Sequence, residues 1–419
     1  MKPKSFFRPV PGSVCAPKGF HATGVTAGIK HESKPDMAML LSETPCLAAG
    51  TFTTNTAKAA PVLLCIQYLK QSPAMRGIVV NSGNANAGTG AQGFRNAQAT
   101  ALHASEMANA RGFATSAKQF FVCSTGRIGV QLPMAKIRHG ISLAAKNLSK
   151  QGDDAAHAIM TTDTFAKKLA FEFKIDGKTV RLGGICKGAG MIQPAMSQTG
   201  ARPALHATML CFLTTDAAIN RHVLQQCLNI AVAQSFNCVT VDGDTSTNDT
   251  VLLMANGQAG NHPLRKGSPG LKKFQTVLNH LTLGLAKMIA RDGEGISHVV
   301  TLKIKGAASS DDAEKAIRAI GNSALVKCSW CGMDPNWGRI LDAIGYSGAK
   351  LKESSLTITY NGIPFVEKGL EIEKNLYKVR QIVKKPTFGI ECNLHLGKYE
   401  AILYTTDLTE EYVRLNKGE

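Results

Sequence analysis

Short β-branched runs alternate with stretches of helical periodicity from one end of the 419-residue chain to the other, the pattern of a mixed α/β architecture. The apolar run Gly77 to Asn81 predicts a strand, and Arg95 to Arg111 predicts a helix that Gly112 closes. Between them Ser82 to Gly93 reads as a loop rich in Gly and Asn, residues that tolerate positive φ. Thr215 and Asp216 are placed to cap a helix running to about Gln234, followed by a strand-like Cys238 to Val241 and a polar loop. Leu278, Leu281, Leu285, Met288 and Ile289 recur at helical spacing and predict a helix over 277–291 that stops at Gly293. A strand is expected over 298–305, a helix from Asp311, and strands near 356–359, 388–396 and 401–404.

Composition narrows the class. With 44% hydrophobic and 6% aromatic residues the chain can bury a sizeable core, and its length suits two or three domain-sized units. The formal charge of +18 favours anionic ligands in general. The basic residues are spread along the chain without interleaved aromatics, so no nucleic-acid partner is expected. There is no apolar run of membrane-spanning length, and the first twenty residues lack the continuous apolar stretch of a secretory signal. No membrane association and a cytoplasmic location are therefore expected. Eleven scattered cysteines, an odd number, read as reduced thiols.

Three motifs are set aside. Gly88 to Gly93 (GTGAQG) formally matches a dinucleotide fingerprint, but a polar stretch separates it from its strand and the acidic residue about twenty positions on is absent. Cys328 and Cys331 form a C-x-x-C pair with no second pair or histidines at zinc-site spacing. The string Asp242 to Asp249 (DGDTSTND) lacks the order of a calcium loop; its carboxylates and hydroxyls equally cap turns and order a site. No metal is expected.

The sharpest features are Lys187 to Met196 (KGAGMIQPAM) and His206 to Ala217 (HATMLCFLTTDA). They resemble the self-cleaving ornithine acetyltransferases, also called glutamate N-acetyltransferases, whose precursor cuts itself before the Thr of an Ala-Thr-Met-Leu segment. Further landmarks of the resemblance are Gly50 to Asn55 with Lys58 to Pro61, Asn81 to Asn86, Cys123 to Gly126, Thr161 to Thr164, Val241 to Thr250, Asp292 to Gly295 and Asp334 to Ile340. They span nearly the whole chain.

The resemblance implies the α/β fold shared with related self-processing aminopeptidases, an α chain of residues 1–207 and a β chain of 208–419, in an α2β2 assembly. It implies cleavage between Ala207 and Thr208. Thr208 would then be the nucleophile, its hydroxyl served by its own new α-amino group, whose intrinsic pKa is roughly 7.7. It further implies ping-pong transfer of acetyl from N-acetylornithine to glutamate in arginine biosynthesis. Thr125 and Gly126 match the oxyanion-hole positions, and Thr164, Lys187, Thr208, Glu294 and Asn416 match substrate-contacting positions. Lys187 suits a carboxylate and Glu294 an amino group. No cofactor is implied. Acetyl-CoA is a candidate second acetyl donor, because members with and without that activity share these motifs. A self-processed aminopeptidase or amidohydrolase of related fold is the alternative reading. Two departures stand out: Ser197 to Leu205 reads as an insertion ahead of the cut, and the chain ends at Glu419, before the terminal Ser or Thr that usually follows the asparagine matching Asn416.

Overall fold

In a computed structural model, the structure describes residues 6–30, 33–194, 196–197, 209–244 and 246–417. The chain divides into two compact units, Met1–Gly188 with Pro194–Asn237 and Thr245–Met288, and Ala189–Gln193 with Cys238–Asp244 and Ile289–Glu419.

The first unit is built on a ten-stranded sheet. Its strands are β1 (Phe7–Pro9), β2 (Phe20–Val25), β3 (Met37–Thr53), β4 (Met75–Asn84), β5 (Phe120–Arg127), β6 (Lys167–Ile175), β7 (Lys178–Lys187), β8 (Met196–Ser197), β9 (Leu210–Thr215) and β10 (Thr250–Ala255). The main order is β1-β6-β7-β9-β10-β3-β4-β5, with β2 and β8 also pairing β3. Helices α1 (Ala60–Gln71), α2 (Gly90–Asn109), α3 (Met134–Asn147), α4 (Asp154–Ala158), α5 (Arg221–Ala233) and α6 (Pro269–Arg291), the last up to Met288, belong to the same unit.

Strand side chains alternate between faces, and here both faces are covered. Ala38 and Leu40 of β3, Ile78 and Val80 of β4, and Phe121 and Cys123 of β5 enter one apolar core together with Ile185, Leu210 and Phe212. Met37, Met39, Leu41, Val79, Phe120 and Val122 enter a second, packed by α2 and α3. This parity matters for the site. Thr125 follows Phe121 and Cys123 on their face of β5, and Lys187 follows Ile185 on the corresponding face of β7.

The second unit carries a six-stranded sheet, ordered β14-β13-β12-β15-β11-β16. Its elements are β11 (Val299–Ala307), α7 (Ser310–Asn322), α8 (Ala324–Cys331), α9 (Trp337–Tyr346), β12 (Thr357–Tyr360), β13 (Ile363–Glu367), β14 (Leu370–Glu371), α10 (Leu376–Val383), β15 (Thr387–Asn393), β16 (Tyr399–Thr406) and α11 (Glu410–Leu415). In β11 buried Val300, Leu302 and Ile304 alternate with half-buried neighbours, so this sheet buries one face fully, against α7. One core holds the unit together, with Trp330, Tyr360 and Phe365 among its largest members.

Most predicted elements are present, some with shifted ends. The 95–111 helix begins earlier, at Gly90, and the 277–291 helix earlier still, at Pro269. The expected loop over 82–93 is shorter, because β4 runs on to Asn84. The cap at Thr215 and Asp216 is not one. Thr215 ends β9 and Asp216 accepts the backbone N–H groups of Lys18 and Arg181, at 3.1 and 2.8 Å. The helix starts five residues later, where the Asn220 side chain accepts from the His222 N–H. The strand expected at 238–241 is a 3₁₀ turn over Phe236–Cys238 followed by a single bridge from Val239.

Candidate active site

In the first unit the chemistry gathers at the end of β5. β4 and β5 run parallel, and their pairing becomes irregular just after Gly83 faces Gly126, where Asn84 pairs with both Thr125 and Arg127. Gly126 has φ +125°, and a Cβ there would meet Gly83 C at 2.4 Å and Asn84 N at 2.7 Å. Only glycine fits. The bulge is braced by amides. Ser124 Oγ donates to Asn81 Oδ1 (2.6 Å), Asn81 Nδ2 donates to the Asn84 carbonyl (2.8 Å), and Asn248 Nδ2 bridges the carbonyls of Ala85 and Ser124, each at 2.7 Å. Thr125 is thereby held on a fixed backbone with its side chain buried and Gly126 exposed beside it.

The Lys187 ammonium lies against that threonine. It donates to Thr161 Oγ1 at 2.7 Å and makes a longer contact of 3.4 Å to Thr125 Oγ1. A hydroxyl oxygen that accepts keeps its own hydrogen to give away. Lys187 is 2% exposed, and a buried ammonium needs a counter-charge. Asp163 supplies it, with one carboxylate oxygen 3.9 Å from Lys187 Nζ. The same carboxylate accepts from Lys167 Nζ (2.6 Å) and from the backbone N–H groups of Gly188 (2.7 Å) and Thr161 (3.0 Å). Burial pushes this carboxyl up, but the Lys187 and Lys167 charges and the Gly188 N–H outweigh it and hold its pKa down at about 2. Lys30, pinned by the carbonyls of Pro35 and Met160, adds a third cation that interacts electrostatically with Lys187 and Asp163.

The expected cut and its nucleophile, Ala207 and Thr208, lie outside the described residues, as do residues 198–205 of the expected insertion. The chain is described again from Met209. The Met209 N–H donates to the buried carboxylate of Asp249, and Thr250 N donates to the Met209 carbonyl at 3.0 Å. Asp249 also accepts through its own carbonyl from Thr53 N (2.9 Å), and Ala59 N donates to Thr247 O (2.9 Å). The landmarks Gly50 to Asn55, Lys58 to Pro61 and the polar loop up to Thr250 are thus joined around the start of β9.

Thr164, expected to touch substrate, is an exposed residue in the bend directly after Asp163. In the second unit Glu294 and Asn416, 122 positions apart, meet: Asn416 Nδ2 donates to Glu294 Oε2 at 2.9 Å. Glu294 is fixed by its N–H on the Ala189 carbonyl (3.1 Å), and a Cβ on Gly190 would meet its carboxylate at 2.4 Å. Asn416 ends α11, whose N-cap Thr409 also donates to the Gly295 carbonyl (2.6 Å). Asp242 secures the approach, accepting from Met191 N (2.6 Å), Ile192 N (2.8 Å) and the Tyr412 hydroxyl (3.3 Å). The acidic string therefore caps backbone. Among the described residues no group of three or more His, Cys, Asp or Glu is placed to hold a metal ion.

Sequence reasoning missed Asp163, Lys167, Thr161, Asn248 and Asp249 as site-builders. Asp163, Thr161, Asn248 and Asp249 lie inside the motifs that carry the resemblance, and that is their only signal in the sequence. All eleven cysteines are free thiols, and among the described residues no helix is long and apolar enough to cross a membrane.

A hydroxyl and a glycine at a strained strand end, backed by a buried ammonium, are the groups acyl-transfer chemistry uses to hold an oxyanion. The chain belongs to the ArgJ family, whose model matches residues 21–418, and it is an acyltransferase of arginine biosynthesis. It is 43% identical over 408 residues to the arginine biosynthesis bifunctional protein ArgJ of Symbiobacterium thermophilum, covering 97% of this chain and 98% of that one. It is 42% identical over 423 residues to the glutamate N-acetyltransferase of Methanocaldococcus jannaschii, with 98% of each covered. A solved ornithine acetyltransferase from Mycobacterium tuberculosis, in complex with ornithine, is 40% identical over 46% of this chain and 100% of that one, with a TM-score of 0.43.

Proposed function

We propose that the chain cuts itself between Ala207 and Thr208 and then transfers acetyl from N2-acetyl-L-ornithine to L-glutamate through an acetyl-Thr208 ester. In the first half-reaction Thr208 Oγ attacks the acetyl carbonyl, its proton passes to the new α-amino group and on to the departing ornithine nitrogen, and the C–N bond breaks. In the second the glutamate amine attacks the ester and Thr208 Oγ leaves with a proton. Each tetrahedral intermediate carries an oxyanion. Thr125 Oγ–H and Gly126 N–H are the two donors we assign to it, each worth roughly a hundred- to a thousandfold in rate. Glu294, held by Asn416, takes a substrate ammonium, and Lys187 and Thr164 complete the substrate contacts. Acetyl-CoA would be a second acetyl donor to the same Thr208, with no further cofactor.

The observation that carries this reading is the buried Lys187 ammonium against Thr125 beside the glycine bulge. The sheet adds a reason why the pieces stay together after cleavage. β9 begins two residues past the proposed cut, lying between β7 from the 1–207 piece and β10 from the 208–419 piece. Parting the pieces would tear open the middle of the ten-stranded sheet. Free thiols throughout suit a cytoplasmic location, and an α2β2 assembly of two such pairs completes the proposal.

Intact mass spectrometry of the denatured protein, before and after incubation with N-acetylornithine alone, tests it. Two fragments meeting at Ala207 and Thr208 are expected, with one acetyl group on the Thr208 fragment and one equivalent of ornithine released. In Thr208→Ala a single unacetylated chain is expected. Continuous release of acetate without glutamate would make the protein a hydrolase instead, and an active uncut chain would remove Thr208 from the chemistry.

A further inference from the structure

We propose that Asp163 is a positioning residue for the acyl transfer: its carboxylate holds the Lys187 ammonium and its ligand Thr161 in place, so that Thr125 is fixed and left free to donate to the oxyanion. The proposal rests on the acyl-enzyme reading above and adds to it a residue that touches neither substrate nor nucleophile.

The geometry separates holding from consuming. Asp163 spends its short hydrogen bonds on Lys167, Gly188 and Thr161, at 2.6 to 3.0 Å, while Lys187 Nζ sits 3.9 Å away, beyond hydrogen-bond length. Lys187 is attracted to the carboxylate but directs its hydrogens at Thr161 and Thr125. Both ends of this arrangement hang on one carboxylate. Gly188, next to Lys187 in the chain, is tied down through its N–H, and Thr161 is tied down through its own. The charges reinforce the geometry. One carboxylate stands against the buried ammoniums of both Lys167 and Lys187, so two positive charges are held together behind Thr125 where solvent screens them little. That sign is the one a developing oxyanion needs.

The competing explanation is that Asp163 merely neutralises Lys167, whose side chain is fully buried beside it and stacked on Phe165. The double variant Asp163→Asn/Lys167→Met removes both members of that pair, leaves the summed charge of the three groups unchanged while taking the carboxylate away from Lys187, and separates the two explanations. Acetylation of Thr208 by N-acetylornithine is followed by mass spectrometry on cut chains of wild type, Lys167→Met and the double variant, together with thermal melting. We expect the saturating rate of the double variant to fall about a hundredfold below that of Lys167→Met, the loss of one oxyanion donor, with half-saturation changed less than about threefold. Equal rates in the two variants would overturn the proposal. Because loss of a buried carboxylate can unfold the unit, Asp163→Glu is measured alongside; it keeps the charge on a longer arm. A rate about tenfold below wild type at unchanged melting temperature supports the positioning role, and a wild-type rate overturns it. If the wild type itself takes no acetyl group, the acyl-enzyme reading falls and this proposal with it. If the wild type is acetylated and the variants keep pace, this proposal alone falls.

Discussion

Both units bury lysines, and they treat the charge in opposite ways. In the first, Lys167 and Lys187 are 0% and 2% exposed and share the Asp163 carboxylate, which burial would raise but their charges hold near pKa 2. In the second, Lys327 is 3% exposed and among the described residues its ammonium is hydrogen-bonded to neutral partners, the Thr406 carbonyl and the hydroxyls of Thr405 and Thr406 at 3.3 Å. Burial pushes its pKa down to about 7, although Asp242 and Asp407 pull the other way from farther off. A contact carboxylate keeps a buried charge in place; a ring of hydroxyls and carbonyls lets the proton go. The first arrangement pairs buried charges with a carboxylate, and the second is a packing solution in which a lysine satisfies the carbonyl and hydroxyls at the end of β16.

The hardest test of that contrast is Lys187→Met, which removes the cation and leaves Asp163 balanced by Lys167. The saturating rate of Thr208 acetylation should drop a hundred- to a thousandfold, while circular dichroism and the melting temperature stay near wild type, because no uncompensated charge is left behind. If the loss appeared wholly as weaker half-saturation, Lys187 would serve only as the substrate contact assigned to it above and would give no support to Thr125. A smaller effect comes from acid. A carboxyl with its folded pKa lowered from 3.8 to about 2 adds stability above pH 4 that is lost as pH falls toward 2, worth about 2 kcal/mol. Denaturant melts at pH 5 and pH 2.5 on wild type and Asp163→Asn should show that increment in the wild type and its absence in the variant. Equal acid sensitivity would mean that other carboxyls carry the transition.

How much of this was legible follows from where each partner lies in the chain. Thr125, Gly126, Glu294 and Asn416 were reached through short runs that resemble a known family, and the structure brings Glu294 and Asn416 into contact across 122 positions. Asp163 carries no signal beyond its place in the Thr161 to Thr164 motif, and Lys167 carries none. What defines them is the N–H of Gly188, 25 residues on, and the ammonium of Lys187, which meet Asp163 because β6 and β7 form a hairpin. The misread helix cap at Thr215 and Asp216 has the same cause. The side-chain oxygens that cap a helix also cap loops, and here Lys18 and Arg181, distant in sequence, claimed Asp216. Periodicity placed helix interiors well and ends poorly, since α2 and α6 extend through residues such as Gly90 and Pro269 that break a periodic pattern.

The gentlest test lies in the second unit. Lys327 has a folded pKa below its unfolded value of 10.5, so between pH 7 and 10.5 the unfolded chain binds more protons and stability rises with pH. From pH 7 to pH 8 the gain should be about 1 kcal/mol, set by the cost of burying the charged form at the lower pH. Urea melts at both pH values should show it in the wild type, and Lys327→Met should abolish the slope while leaving the Thr406 carbonyl one donor short. If Lys327→Met left the slope intact, the protons would belong to another group, and the contrast between paired and unpaired buried lysines would lose its second half.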